Sequence, residues 1–538
     1  MEPMRPRRWR WHMSDTAEAL SLVSSLLAAD EAVSDEKERE AHSSDVYGRG
    51  ATAALLLRPK DCGRLAAAIA ALTAQGFGIV PRGGGMSYTG GYTPTGSRCV
   101  LVDLSRMNKI IAVSAEDLLV TVECGVTWKQ LHAHLQPLGL RLPFFGTFSG
   151  AQATVGGGLS NGALFFGTAR YGTAADNVLG MEVILADGTR LRTGQGGFQH
   201  VSKTFYRTYG PDLTGLFCHD CGSLGVKVQA TFRLIRTPQC TGFASFVFDG
   251  MESAGRGLSE IARSGAAEEL YVFDPESTRK NLEATDFAQG ARTLANVVHA
   301  ENTLLGGLRQ GVKLAAAGRS FIGPDDYSVH VVCSGRSTAA LTADLQAVRE
   351  ACAALQGREI PDSIPRAVRA NLFPAPDGVL GPNGDRWAAL NAKVAHSDGV
   401  RIVQAARSAM QEFADEFREK NVWMSHLLIA VGMQAFSFEP VFHWFDEWLP
   451  MHERMPSRET LSKFARPAAA PEARALVARA RARMLEVFVE MGAASNQIGR
   501  TYPYLQAMQP ATRHTIEQLK RLFDPQGRMN PGALGLAC

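Results

Sequence analysis

The chain is predicted to be an α+β protein of two or three domains, and three observations carry that expectation. Its 538 residues exceed what one ordinary core organises. Helix-periodic and strand-like segments alternate over the first 240 residues, where the glycine-rich stretches also fall. Beyond Pro238 those stretches disappear, and "FASFVFD", "LYVFD" and "YSVHVVCSG" alternate with helical patterns, suggesting an antiparallel sheet covered by helices.

Composition narrows the class. Hydrophobic residues make up 45%, charged residues 20%, and the net charge is +3, values typical of a soluble globular protein and not of one that coats nucleic acid. Nine scattered cysteines, an odd number, fit a reducing cytoplasm better than a small secreted scaffold. No apolar run reaches transmembrane length. The opening "MEPMRPRRWRWHM" is basic but has no signal-peptide core, and "SDTAEALSLVSSLLAAD" reads as a capped helix directly after it. Met13 is therefore the expected start, with residues 1–44 a leader and helix; a weak tether to a membrane surface is the alternative reading of the basic segment.

Taken in order, "CGRLAAAIAALTAQ" (62–75) has helical spacing and Gly76 as its stop signal. A strand leads into the loop "IVPRGGGMSYTGGYTP" (79–94). Strand-like "CVLVDL", "KIIAV" and "LLVTVECG" follow, then a helix from Trp128 to Leu138. "GMEVILADGTRLRTG" reads as a hairpin with Asp187-Gly188 as a two-residue turn. In "VKVQATFRLI", Val226, Val228, Ala230, Phe232 and Leu234 alternate with polar residues as in a half-buried strand. Residues 336–356, 401–419 and 471–491 are helical, and 363–400, rich in proline, glycine and polar residues, reads as a surface excursion.

The glycine loop raises the chemical question. Glycines let successive backbone N–H groups surround an anion, and Arg82 would add charge, so a pyrophosphate is the natural guest; a ligand-free tight turn is the blander reading. No helix opens directly after these glycines, which excludes a Rossmann fingerprint, and the Gly-Lys-Ser/Thr of a Walker loop is missing. A second stretch, "ATVGGGLSNGALFFGTARYGTAADN" (153–177), and a Gly-Ser-Leu-Gly turn at 222–225 strengthen the case for a ligand.

Together with "GVTWKQLHAHLQPLGLRLP", "GPDLTGLFCHDCGSLGVKVQATFRL" and the ending "LFDPQGRMNPG", these segments, in this order, resemble the vanillyl-alcohol oxidase and p-cresol methylhydroxylase flavoprotein superfamily, which includes D-lactate dehydrogenase and the glycolate oxidase flavin subunit. The resemblance covers residues 45–240 and 495–538. It implies a two-part FAD-binding domain of the p-cresol methylhydroxylase type built from both ends of the chain, with 241–494 as an antiparallel-sheet cap supplying the substrate pocket. It also implies that Arg82, Gly83, Gly84, Gly85, Met86 and Ser87 contact the FAD pyrophosphate. By the same token Gly157, Ser160, Gly162, Gly167, Tyr171 and Gly172 would line the flavin, Val226 the adenine side, and Asn530 would close the site.

Three departures qualify the likeness. Met86 stands where one branch has a histidine, so a doubly tethered flavin is not expected. "SHLLIAVGMQAFSFEPVFHW" lacks the His-Gly-Asp-Gly-Asn-x-His signature of the hydroxy-acid branch, so no metal is expected. Cys218 and Cys221 have redox or half-zinc spacing without a second pair, which favours chance thiols beside a turn.

The implied reaction is hydride transfer from a small hydroxylated substrate to flavin N5, with oxygen, a quinone or a cytochrome as electron acceptor, in a monomer or a homodimer. Glu439 and His443, four apart, would share a helix face and include a candidate base, although packing against Phe442 and Trp444 explains His443 equally well. Tyr88, Arg500 and Tyr502 would hold a phenolate or carboxylate, or stabilise the fold. Arg386, Trp387 and His396 are weaker cap-side candidates. A 4-alkylphenol or benzylic alcohol is the leading substrate expectation and a D-2-hydroxy acid the alternative. A noncatalytic protein that has lost its flavin is the expectation of another class.

Overall fold

The computed structural model describes residues 14–278, 322–323, 325–376, 380–455 and 458–536; the basic leader with Met13, and Cys538, lie outside the described residues. Among the described residues three large sheets organise the chain, with a further two-stranded pair of Leu140–Arg141 and Ile235–Arg236. In the first, Leu55–Leu57, Cys99–Asp103 and Gly78–Arg82 run parallel in that spatial order, and Ala32–Val33 joins the Leu55–Leu57 edge antiparallel. All three parallel strands are buried along their length, as a parallel sheet covered on both faces requires. One cover is the Cys62–Ala74 helix, capped by Asp61, whose Leu65, Ala68, Ile69 and Leu72 form a fully buried stripe.

The other edge of this sheet shows how the chain ends meet. Ile79 N–H donates to the Arg528 carbonyl and the Asn530 N–H donates to the Ile79 carbonyl, both at 2.8 Å, so the C-terminal segment lies along the Gly78–Arg82 strand. A second, antiparallel sheet has the order Ile110–Ser114, Leu119–Glu123, Val226–Arg233, Val178–Ile184, Arg190–Arg192. Its last hairpin departs from the two-residue expectation. Leu185 N–H donates to Thr189, leaving Ala186, Asp187 and Gly188 as a three-residue loop whose last member has φ +82°.

The third sheet is the cap. Its antiparallel order is Arg358–Ile360, Cys240–Phe248, Tyr327–Gly335, Glu269–Phe273, Trp423–Val431, Ala435–His443, Ala388–Ala389, with Ala392–Ala395 also pairing to Ala435–His443. Alternation along each strand divides its two faces. Tyr271, Leu427 and Ile429 join the core of the glycine-loop half, whereas Leu270, Val272, Leu428 and Ala430 pack under the helices Met251–Ser264, Gly399–Met410 and Pro471–Glu490. The sheet is thus buried on both sides. Arg141 of the first half donates to Glu268 of the cap at 2.7 Å with both side chains buried, and Arg369 completes this ion cluster across the seam.

Two expectations are corrected here. Residues 363–400 are no simple surface excursion: they contain the Ser363–Ala370 helix and two short strands, and Arg386 and Asn391 are buried. Glu439 and His443 lie on a strand, Ala435–His443, not on a helix. A spacing of four puts two residues on one face of either element, and Phe436, Phe438 and Phe442 belong to a sheet buried on both sides, which hides the period of two.

Candidate active site

A cavity of about 430 Å³ opens between the glycine loops and the inner face of the cap sheet. Arg82, Gly83, Gly84, Gly85, Met86, Ser87 and Tyr88 form one wall, the 153–160 segment another, and Trp387, Ser425, Leu427, Ile429, Glu439 and Val441 the cap side. The stripped backbone first serves packing. A Cβ on Gly84 would stand 2.0 Å from the Gln152 carbonyl oxygen, and one on Gly83 2.2 Å from Thr154 Oγ1, so the first loop packs directly on the 152–154 segment, backbone to backbone at Gly84 and against a side chain at Gly83. Gly84→Ala should therefore separate the loops; a melting temperature lowered by several degrees is the expected result.

With the loops pressed together, the outer side is left for a ligand. Among the described residues the N–H groups of Gly84 to Tyr88 find no protein acceptor, although buried backbone donors are nearly always paired. Arg82, 6% exposed, is held from behind by the Ser44 carbonyl at 2.8 Å. A run of orphan donors beside a fixed guanidinium is a built anion cradle. Gly157 and Ser160 line the cavity opposite it.

Other positions fall elsewhere. Gly162 caps the Val155–Asn161 helix with φ +68°, and Gly167 and Gly172 flank the Thr168–Tyr171 helix; none lines the cavity. Tyr171 sits under the Arg141 guanidinium, 5.8 Å from its ring centroid. Val226 is on the far side of its strand, where it is fully buried, and its neighbours Gly225 and Lys227 line the cavity instead. Lys227 is itself paired with buried Asp220 at 2.5 Å. Asn530 lies behind the loops, donating to the Gly91 and Cys221 carbonyls at 2.7 and 2.5 Å.

The proposed chemical residues separate in the same way. Tyr88 lines the cavity, its oxygen accepting from Gln497 Nε2 at 3.0 Å, which leaves its own proton to donate; burial, with Glu439 adding to it, holds the phenol protonated. Glu439 faces the same space without a hydrogen-bond partner among the described residues, and desolvation pushes its carboxyl up to about 7. His443 is fully buried, one side chain removed from the cavity behind Ser425, whose Oγ lies 2.9 Å from its Nε2. Arg500 and Tyr502 do not reach the cavity. Arg500 binds the carbonyls of Gly90, Thr93 and Pro531 and the Asn530 side chain, and the Tyr502 hydroxyl accepts from Asn391 N–H at 2.6 Å.

Of the weaker candidates, Trp387 lines the cavity, Arg386 is buried against His452, and His396 bonds Ser259 outside it. Burial pushes the Cys218 and Cys221 thiols up to about 11, so both stay protonated and inert. Sequence reasoning missed Ser425, Gln497 and the Lys227–Asp220 pair. Lys227 carried no local signal: it shares a strand face with Gln229, Thr231 and Arg233 and so reads as one more residue of a polar face.

Comparison with known proteins agrees with this architecture. The FAD binding domain family matches residues 53–194, and the C-terminal domain of FAD linked oxidases matches residues 499–534. D-lactate dehydrogenase [cytochrome] 1, mitochondrial, of Saccharomyces cerevisiae is 30% identical over 210 residues, 39% of this chain and 34% of that protein. Glycolate oxidase subunit GlcD of Bacillus subtilis is 30% identical over 221 residues, 41% of this chain and 45% of that protein. The chain thus matches a third to a half of the length of these relatives. The crystal structure of p-cresol methylhydroxylase with substrate bound superposes with a TM-score of 0.71 over 97% of both chains at 18% identity. Residues 53–194 are thus an FAD binding domain, completed by an FAD linked oxidase C-terminal segment at 499–534, and the chain has the fold of p-cresol methylhydroxylase. FAD is the cofactor of such a domain, and the orphan donors of Gly84 to Tyr88 with Arg82 fit its pyrophosphate.

Proposed function

We propose that the protein is an FAD-dependent oxidoreductase acting on a small, neutral, hydroxylated substrate, a 4-alkylphenol or benzylic alcohol. The observation that carries the substrate class is the charge of the cap wall. Among the described residues the cavity's cations are Arg82 and Lys227, both on the glycine-loop half, and Lys227 is already neutralised by Asp220. Facing the cap, a substrate meets Glu439 amid Leu427, Ile429, Val441 and Trp387. A carboxylate about 5 Å from ionised Glu439 would be repelled by about 3 kcal/mol at an effective dielectric of about 20, with no arginine on that wall to offset it. An aromatic body suits the same surface.

FAD, when bound, supplies the two-electron acceptor. Gly84 to Tyr88 and Arg82 hold its pyrophosphate, Tyr88 donates a hydrogen bond to the substrate oxygen, and Glu439, balanced near neutrality, takes the hydroxyl proton. The apolar side chains around them exclude water. The electron acceptor belongs to one of three classes: oxygen, a quinone or a cytochrome.

A D-2-hydroxy acid substrate has one specific support, the names of the lactate and glycolate relatives. Anaerobic mixing separates the readings. The purified protein is expected to be yellow, and 4-alkylphenols and benzylic alcohols to bleach it where D-lactate and glycolate do not. Bleaching by the hydroxy acids alone would reverse the assignment, and a colourless protein that takes up no FAD would end both.

A further inference from the structure

The cavity contains a serine whose hydrogen-bond polarity is set from behind. Ser425 lines the cap wall, 2% exposed, with Oγ 2.9 Å from Nε2 of fully buried His443. The other ring nitrogen, Nδ1, faces two oxygens: the Arg386 carbonyl at 3.2 Å and Asp385 Oδ1 at 3.8 Å. Both are acceptors, so the ring's proton sits on Nδ1 and Nε2 is left to accept. Ser425 must then donate its own proton to Nε2. Trp423 stacks on the imidazole with centroids 5.4 Å apart, and Trp387 meets it edge-on at 5.4 Å, which fixes the ring plane.

The consequence falls on the cavity side. With its proton committed to His443, Ser425 Oγ offers a ligand only lone pairs. Strand register pairs Leu427 with Glu439, so Ser425 is the diagonal neighbour of Glu439 on the same face, about 7–8 Å away between Cα atoms. We infer that Ser425 is a specificity residue that reads a second hydrogen-bond donor, O–H or N–H, on the substrate, distinct from the hydroxyl facing Glu439, and that His443 is the positioning residue that sets this polarity. An ether or carbonyl oxygen placed there meets lone pairs and is rejected. This inference rests on the proposed oxidoreductase reading for its substrate scaffold, though not for its hydrogen-bond logic.

Three probes of one scaffold test it by calorimetric titration of the holoenzyme: 4-hydroxybenzyl alcohol, 4-methoxybenzyl alcohol and 4-(methoxymethyl)phenol, the last two each lacking one hydroxyl donor. Wild-type protein should bind the diol about tenfold more tightly than either ether, one hydrogen bond's worth each. In Ser425→Ala the penalty of one ether, the one blocked at the serine's end, should vanish while the other persists. Ser425→Thr, which retains the hydroxyl, should restore it. His443→Phe frees the serine proton and should lower the same penalty, a change that a purely structural histidine would not direct to one ether. Equal binding of all three probes by the wild type, binding of none, or both penalties surviving Ser425→Ala would overturn the assignment. Anaerobic bleaching is read separately: discrimination without bleaching sinks the oxidation reading alone, and bleaching without discrimination sinks this one alone.

Discussion

Replacing Glu439 with glutamine is expected to lower turnover by about 10²–10⁴-fold, the usual contribution of a positioned general base, while the protein keeps its FAD and its colour. Glu439 is on the cap wall and acts on the Tyr88 phenol, not on the backbone N–H groups of Gly84 to Tyr88 that form the cradle, so cofactor retention should not follow activity. The pH profile gives the sharper signature. Desolvation holds the carboxyl near 7, so the base form grows as pH rises through 7 and the wild-type rate should rise with it. In Glu439→Gln that limb should be absent.

The same residue predicts a stability effect of opposite sign. A carboxyl whose folded pKa lies above its unfolded value of 4.5 keeps more protons folded than unfolded between about 4.5 and 7. Stability therefore falls as pH rises through that window, and ionised Glu439 costs at most about 3 kcal/mol above it. Glu439→Gln should melt higher than the wild type at pH 8 and alike near pH 4. A variant both slower and more stable above neutrality is what a functional buried base predicts. A variant that is slower and less stable at pH 8 would mean that Glu439 holds the wall together instead.

What could be read from the sequence follows from where local chemistry and tertiary structure agree. The glycine loops were legible because Gly83 and Gly84 leave no room for a Cβ, a requirement visible in the residue type itself. The cap sheet was legible as a texture of apolar strands. Its phase was harder to read: a sheet buried on both faces loses its alternation, which is why the spacing of Glu439 and His443 read as a helix face. The group around Ser425 could not have been found, since Ser425, His443, Asp385 and Arg386 come from three segments that only strand pairing and the turn before Ala388–Ala389 bring together. Arginine near a candidate site is ambiguous in sequence because its fork suits a substrate carboxylate and a cluster of backbone carbonyls equally well.

Arg500 is where that ambiguity has the largest consequence. Its guanidinium donates to the Gly90, Thr93 and Pro531 carbonyls and, at 2.8 Å, to Asn530 Oδ1. Asn530 in turn ties Gly91 to Cys221. One side chain thus joins the loop after the cradle, the turn at Cys221 and the C-terminal segment that runs along Gly78–Arg82. Removing it strands several half-buried acceptors at once, a loss of about 3–5 kcal/mol on the scale of broken buried networks. Arg500→Ala should accordingly melt several degrees lower and release FAD, with any reduction of the remaining bound flavin by substrate unimpaired. Arg500→Lys keeps the charge without the fork and should lie between the two. If Arg500→Ala instead stays yellow and stable but is no longer bleached by substrate, then Arg500 reaches the substrate in the working enzyme, and the charge argument against a carboxylate substrate fails with it.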